Sequence, residues 1–241
     1  MITVEPALLD IEEGDCVLDA GCGEGRHCWE VYKRNCSTII GLDVDREGLK
    51  KNKYVLNLTK EQGESNGSYC LVQADVTSLP FKDGSFDKII CSEVLEHVPQ
   101  DRKGVKELIR VLSDKGAIGV SVPHHFAESI CWMLSKDYYG FPGGHIRKYK
   151  TKHLVNLLRS NGLTIYTIRR KHSLHSFYWI LRCLFGIKKE RALIPSLYYK
   201  FLGWDVDSKN LPRRWFEGFL NCFIPKSIVI YARKKECTSS Q

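Results

Sequence analysis

The 241-residue chain has no Cys-x-x-Cys pair, although it holds ten cysteines. They fall at positions 16, 22, 28, 36, 70, 91, 131, 183, 222 and 237, a scatter that does not suit thiolate zinc ligation, and no metal is expected. Cys16, Cys70 and Cys91 sit inside apolar runs, where a reduced thiol packs as a small hydrophobe. No uninterrupted apolar stretch nears the roughly 20 residues that a bilayer-spanning helix needs. The opening Met1-Ile2-Thr3-Val4-Glu5-Pro6 lacks a basic segment followed by an apolar one, so no secretory signal is expected and a cytoplasmic location is. Repeats and low-complexity tracts are missing too, and only the tail from Lys234 is expected to fray. What remains, 43% hydrophobic and 27% charged residues, suits one globular domain over 1–241.

The most informative segment present is Val17-Leu18-Asp19-Ala20-Gly21-Cys22-Gly23-Glu24-Gly25-Arg26, which reads as a buried strand running into a glycine turn. Gly21, Gly23 and Gly25 leave backbone bare to a ligand's polar end, and Arg26 to Arg34 can open the following helix. Alone, such a turn is also a tight connection, or fits a dinucleotide as well as another adenosine cofactor. Thr38 to Asp43 is a second apolar strand, ending in a carboxylate 18 residues after Gly25 that suits two ribose hydroxyls. Cys70 to Val76 reads as a third strand closing on Asp75, and Phe86 to His97 as a fourth entering a short helix. Each acid by itself would read as a helix cap or turn residue. Their shared position at strand ends, where ligands bind in an open parallel sheet, points to a site.

In this order the four signals resemble the class I S-adenosylmethionine-dependent methyltransferases of the small-molecule, type 11-like kind, over roughly residues 10 to 170 plus the last strand. The resemblance implies that Asp19, Gly21, Gly23 and Gly25 surround the methionine end of S-adenosylmethionine. It implies further that Asp43, with Val44 beside it, holds the ribose, that Asp75 and Val76 face the adenine, and that Ser92, Glu93 and His97 line the pocket floor. S-adenosylhomocysteine would be the product.

The alternation continues with a helical face from Asp101 to Leu112, a strand at Ala117–Pro123, a helix at Lys152–Ser160 and a strand at Leu163–Arg169. Lys226 to Arg233 reads as a seventh strand, which the resemblance makes antiparallel beside the sixth. The expected fold is α/β, a doubly wound seven-stranded sheet with a helical insert between strands six and seven. Residues 171–225 are too many for a structureless loop and must build something. Aromatic and basic residues interleave there: Phe177-Tyr178-Trp179, Arg182, Lys188, Lys189, Trp204 and Arg213-Arg214-Trp215-Phe216. They suit a cap packed on the sheet edge, a cap over an acceptor pocket, or a peripheral membrane contact through 174–223. Residues 1–123 carry net charge −6 and residues 124–241 net +14, so an anionic partner or a merely solvated basic face are both accommodated.

Methyl transfer asks the protein to align an acceptor and remove a proton. The candidate bases are His145, then His125 and His97, with His124 beside them and Glu93 and Glu96 behind; residues 124–150 would form an acceptor loop or lid. In Gly143-Gly144-His145-Ile146-Arg147-Lys148-Tyr149 the histidine can serve as base, the arginine as anion fork and the tyrosine as ring, or the histidine can simply satisfy backbone carbonyls. Similar enzymes carry a Gly-His-x-Arg-x-Tyr/Phe run before this helix, which implies a lid role. His27 is expected on the surface and His153 in helix packing. Cys91-Ser92-Glu93-Val94 stands where base or glutamine N-methylation would need Asn/Asp-Pro-Pro-aromatic, and Cys91 has no preceding proline for a pyrimidine C5 mechanism. With no appended RNA-binding domain, nucleic acid is not the expected acceptor. The leading expectation is O-methylation of a small-molecule or lipid-linked hydroxyl, on a sugar, glycan precursor or lipid-like acceptor, and the insert resembles that of methyltransferases linked to bacterial polysaccharide methylation. A prenylated quinone is the second enzymatic option, and a non-catalytic module binding RNA or protein is the option from another class. A dehydrogenase remains the competitor for the glycine turn itself, and the absence of the wider Gly-x-Gly-x-x-Gly spacing, with Asp75 and Ser92-Glu93, favours the sulfonium donor.

Overall fold

The computed structural model describes residues 2–34, 38–139, 144–187, 192–206 and 211–235. Strand and helix alternate as the apolar pattern predicts: α1 (Pro6–Leu9), β1 (Cys16–Ala20), α2 (Arg26–Tyr32), β2 (Thr38–Asp43), α3 (Arg46–Glu61), β3 (Ser68–Gln73), β4 (Phe86–Ser92), α4 (Asp101–Val111) and β5 (Leu112–Pro123). There follow α5 (His125–Leu134), α6 (Lys136–Tyr139), α7 (Thr151–Ser160), β6 (Leu163–Lys171), α8 (Ser173–Phe185), α9 (Leu193–Val206), α10 (Leu211–Leu220) and β7 (Ser227–Lys234). The strands form one sheet in the order β3-β2-β1-β4-β5-β7-β6. β7 runs antiparallel to both neighbours, β5 and β6, while the other pairings are parallel.

Adjacent strand residues point to opposite faces, and here both faces are covered, so the strands read as continuous apolar runs. Leu18, Ile40, Ile89, Ile118 and Ile230 enter one buried cluster with α4 and α7. Their neighbours Val17, Ile39, Ile90, Ala117 and Val229 enter a second cluster with α1 and α2. Each fully buried Leu or Ile contributes about 1.5–3 kcal/mol. Helix α8 packs on α5, with α9 and α10 against α8, so the segment between β6 and β7 is a three-helix unit seated beside the carboxyl end of the sheet.

The structure corrects four local expectations. β3 stops at Gln73, because Asp75 turns the chain: its Oδ1 accepts from Thr77 N at 2.7 Å and its carbonyl from Ser78 N at 2.9 Å. The short helix expected after β4 is a turn, entered through Glu93 at φ 58 and closed by His97 N on Val94 O. Residues 124–150 are not an open loop, since α5 and α6 begin inside them and His125 opens α5. His27 is buried, not on the surface, and its Nε2 accepts from Thr3 N and Val4 N, both at 3.2 Å. Gly143, Lys188, Lys189 and the tail beyond 235 lie outside the described residues, as do the side chains of Trp204, Arg213 and Arg214. Among the described residues no helix is long and apolar enough to cross a membrane.

Candidate active site

The carboxyl ends of β1, β2 and β4 open onto a cavity of about 1420 Å³. That exceeds the roughly 300–1,000 Å³ of an ordinary one-ligand site, so two molecules fit side by side. Its first wall is backbone. Gly25 stands at φ 88, and a Cβ there would fall 2.0 Å from Asn52 Oδ1, so only glycine fits. At Gly23 a Cβ would meet no protein atom within 4 Å; the space beside it is open. Gly21 N and Cys22 N donate to Leu42 O at 2.7 and 3.0 Å, which ties the turn to β2.

Asp43 closes this wall from the end of β2. Its Oδ2 accepts from Gly23 N at 2.7 Å and its Oδ1 from Asp45 N at 2.8 Å, leaving each oxygen a further lone pair for a ligand. Val44 is 61% exposed on the cavity lining, an apolar platform, with Ala74, Asp75, Val76 and Thr77 opposite. Arg110 fixes the loop beyond them, donating to Leu79 O at 3.0 Å and Phe81 O at 2.8 Å. Asp19 does not line the cavity. It is buried behind the turn, accepts from Cys28 Sγ at 3.3 Å through Oδ2 and leaves Oδ1 without a partner. Burial raises its carboxyl to about 7.

The second wall is built of side chains. Ser92, Glu93 and His97 line it, with Gly144 and Ile146 facing them. Glu93 Oε1 accepts from Ser121 Oγ at 3.2 Å, and burial raises its carboxyl despite the charge of Lys226. His97 Nδ1 lies 3.3 Å from Gly144 O, an acceptor, which puts the proton on Nδ1. The His97 and His145 rings meet edge-on, centroids 4.9 Å apart. His145 is not itself on the cavity lining: its Nδ1 is 2.9 Å from Glu128 Oε2 and its Nε2 4.0 Å from Glu96 Oε1. Glu128 also accepts from Lys226 Nζ and Tyr138 OH, both at 2.9 Å. Burial alone would raise Glu128, but His145 and Lys226 hold it at about 2. Glu96 is raised well above the usual carboxyl range by burial and by Glu93.

Residues 18–120 match the family model described as a methyltransferase domain. This segment is a methyltransferase domain of the class I S-adenosylmethionine-dependent kind. Among its relatives is the methyltransferase GfsG of Streptomyces halstedii, 32% identical over 114 residues, which are 47% of this chain and 39% of GfsG. Another is the sterol 24-C-methyltransferase erg6 of Aspergillus fumigatus, 34% identical over 116 residues, 46% of this chain and 29% of that protein. The matched segments thus span about a third of these relatives' own length. A methyltransferase structure from Methanosarcina mazei superposes with a TM-score of 0.61 at 17% identity, covering 97% of this chain and 99% of that one, which shows the shared fold.

The first wall fits the methyltransferase cofactor S-adenosylmethionine: an open cradle at Gly23, an acid at the end of β2 and an exposed valine after it. The sequence-read residues Gly21, Gly23, Gly25, Asp43, Val44, Asp75, Val76, Ser92, Glu93 and His97 all converge on this one cavity. Asp19 and His145 stand behind it, and His125, at the start of α5, is not on the lining either. Arg147 is not a fork for a ligand anion, because it donates to Pro99 O at 2.8 Å and pairs with Asp101, to which Tyr149 OH also donates. These bonds staple 144–149 over the cavity mouth. Sequence reasoning missed Glu128, Tyr138 and Lys226. The one local signal was Glu128 itself, a lone acid in the otherwise apolar stretch of α5.

Proposed function

We propose that this methyltransferase methylates the hydroxyl of a small molecule with an apolar body, such as a glycan precursor or a lipid-linked acceptor. The reading is carried by one observation: a single cavity has a bare-backbone cradle at one end and a histidine–carboxylate wall at the other. When bound, S-adenosylmethionine supplies a methyl group already activated on a cationic sulfur and leaves as S-adenosylhomocysteine. The chain must therefore hold the two molecules in line, exclude water and take up one proton. Asp43 would hold the ribose hydroxyls, Val44 and Val76 would flank the adenine beside Asp75, and Gly21 to Gly25 would receive the methionine end. His97 would take the acceptor's proton at Nε2, since its Nδ1 is committed to Gly144. His145 and Glu128 would hold that ring in place from behind.

An apolar acceptor body is supported by Val98 and Ile146 on the same lining and by relatives whose names say that they act on sterols. The three-helix unit packs behind the second wall, where the Trp179 ring meets that of Tyr138 at 5.7 Å and Tyr138 OH donates to Glu128. Its outer side exposes Leu197, Phe201, Trp215, Phe216, Phe219 and Phe223 in the basic half of the chain, which suits peripheral contact with an anionic lipid surface. Titration calorimetry with S-adenosylhomocysteine should show one site per chain. Incubation with methyl-labelled donor and fractionated cell extract should then place label in lipid or carbohydrate. Label in RNA or protein alone, or no cofactor binding, would overturn the reading.

A further inference from the structure

Glu96 is the odd group in the second wall. Its side chain is 0% exposed, yet neither carboxylate oxygen has a hydrogen-bond partner, an arrangement that costs several kcal/mol for an ionised group unless a cation satisfies it. Two imidazoles face it: His97 Nε2 is 3.9 Å and His145 Nε2 4.0 Å from Glu96 Oε1. These gaps are too long for hydrogen bonds. One donor atom from each of Glu96, His97 and His145 lies within 4.8 Å of the others. Around an ion with bonds of about 2.0–2.2 Å, ligand atoms stand about 3 to 4.4 Å apart, so small side-chain movements close the set.

The outer partners suit ligation as well. A metal-bound histidine usually donates its other ring N–H to a carboxylate or a backbone carbonyl, which turns the remaining nitrogen toward the ion. His145 Nδ1 is on Glu128 at 2.9 Å and His97 Nδ1 faces Gly144 O at 3.3 Å. Charge points the same way. Three carboxylates, Glu93, Glu96 and Glu128, converge here with one buried ammonium, Lys226, whose Nζ is taken by Glu128. Buried acids in excess of their cations are neutralised by protons or by a metal.

We infer that Glu96, His97 and His145 form a site for a divalent first-row transition ion at the acceptor end of the cavity. A two-histidine, one-carboxylate set with open positions is a geometry such ions favour. His97 lines the cavity, so the open positions face the acceptor. With an ion bound, His97 Nε2 is a ligand and no longer the proton acceptor; the ion would instead hold the acceptor hydroxyl and favour its deprotonated form, which deepens the hydroxyl reading above and rests on it, while ion binding itself does not. The cysteine scatter excluded a thiolate zinc site, and this nitrogen–oxygen site reverses the wider expectation that no metal is bound.

The test is a titration of the metal-stripped full chain with Mn²⁺, followed by loss of the free-ion paramagnetic resonance signal, and with Zn²⁺ by calorimetry. One ion per chain is expected, with Zn²⁺ the tighter. Glu96→Gln and His97→Ala should each weaken Mn²⁺ at least tenfold, while Glu61→Gln on exposed α3 should not. His97 is 39% exposed, so its variant keeps the test sound if Glu96→Gln fails to fold. Absence of saturable binding of either ion, or an affinity in both variants unchanged from the parent chain, would overturn the inference. S-adenosylhomocysteine affinity, measured on the same samples, keeps failure of this site distinct from failure of the methyltransferase reading.

Discussion

Asp19 and Glu128 stand behind the two ends of the cavity, each only 1% exposed. Behind the cofactor wall, Asp19 has one thiol donor and an orphan oxygen, and burial raises it to about 7. Behind the acceptor wall, Glu128 has Lys226, Tyr138 and His145 around it and stays at about 2. Both are shut off from solvent, and the charged partners of Glu128, His145 and Lys226, outweigh its burial, whereas the Cys28 thiol beside Asp19 does not. The first wall is accordingly held by backbone geometry and the second by a network of side chains, and the two should fail differently.

The largest expected effect is at Lys226. Lys226→Met strips Glu128 of its buried cation and makes it resemble Asp19, at a cost of about 3–5 kcal/mol in urea unfolding at pH 7. A loss below 1 kcal/mol would mean that the network does not hold the second wall. Next come two glycines that separate packing from ligand space. Gly25→Ala should cost about 3 kcal/mol of stability, from positive φ and the collision with Asn52. Gly23→Ala should cost only about 1 kcal/mol, yet weaken S-adenosylhomocysteine binding at least tenfold in calorimetry. Equal behaviour of the two would remove the distinction.

The third comparison is in pH. Asp19 is raised above its unfolded value near 3.9, so the folded state binds the extra proton, and stability grows as pH falls from 7 toward 4. His27, lowered to about 3 by burial, acts oppositely: from 6.5 downward the unfolded chain takes the proton and stability is lost. Asp19→Asn should unmask that loss, adding on the order of 2 kcal/mol to the drop between pH 7 and 4.5. Unfolding curves of identical pH slope in variant and parent would refute it. The change confined to ligand affinity is Asp43→Ala, which should lower cofactor affinity by about 1 to 3 kcal/mol, the usual cost of losing hydrogen bonds to a charged group. Unchanged affinity would remove Asp43 from the ribose site.

The first wall was legible because it is local: the glycine turn is contiguous, and Asp43 and Asp75 stand at or just past the end of strands whose apolar runs mark them. Its one misplacement, Asp19, arose because a strand residue beside a turn can face either the ligand or the core, and the sequence does not say which. The second wall was half legible. His97 and His145 were named, but Glu128 and Lys226 are 98 residues apart and meet only because β7 enters the sheet between β5 and β6. Arg147 and Tyr149 were assigned to a ligand because their partner Asp101 lies 48 positions away from Tyr149, at the start of α4. Long-range pairs of this kind leave no periodic trace.

The antiparallel placement of β7 has one more consequence. Lys171 ends β6 opposite Ser227 at the start of β7, and Lys226 N donates to Lys171 O at 2.9 Å, so the chain departs for its three-helix excursion and returns at the same doorway. Such an excursion can be lengthened, shortened or exchanged for another with the hairpin stem unchanged. A lineage of these proteins can therefore trade one module while the strands that carry the glycine turn and Asp43 are inherited untouched.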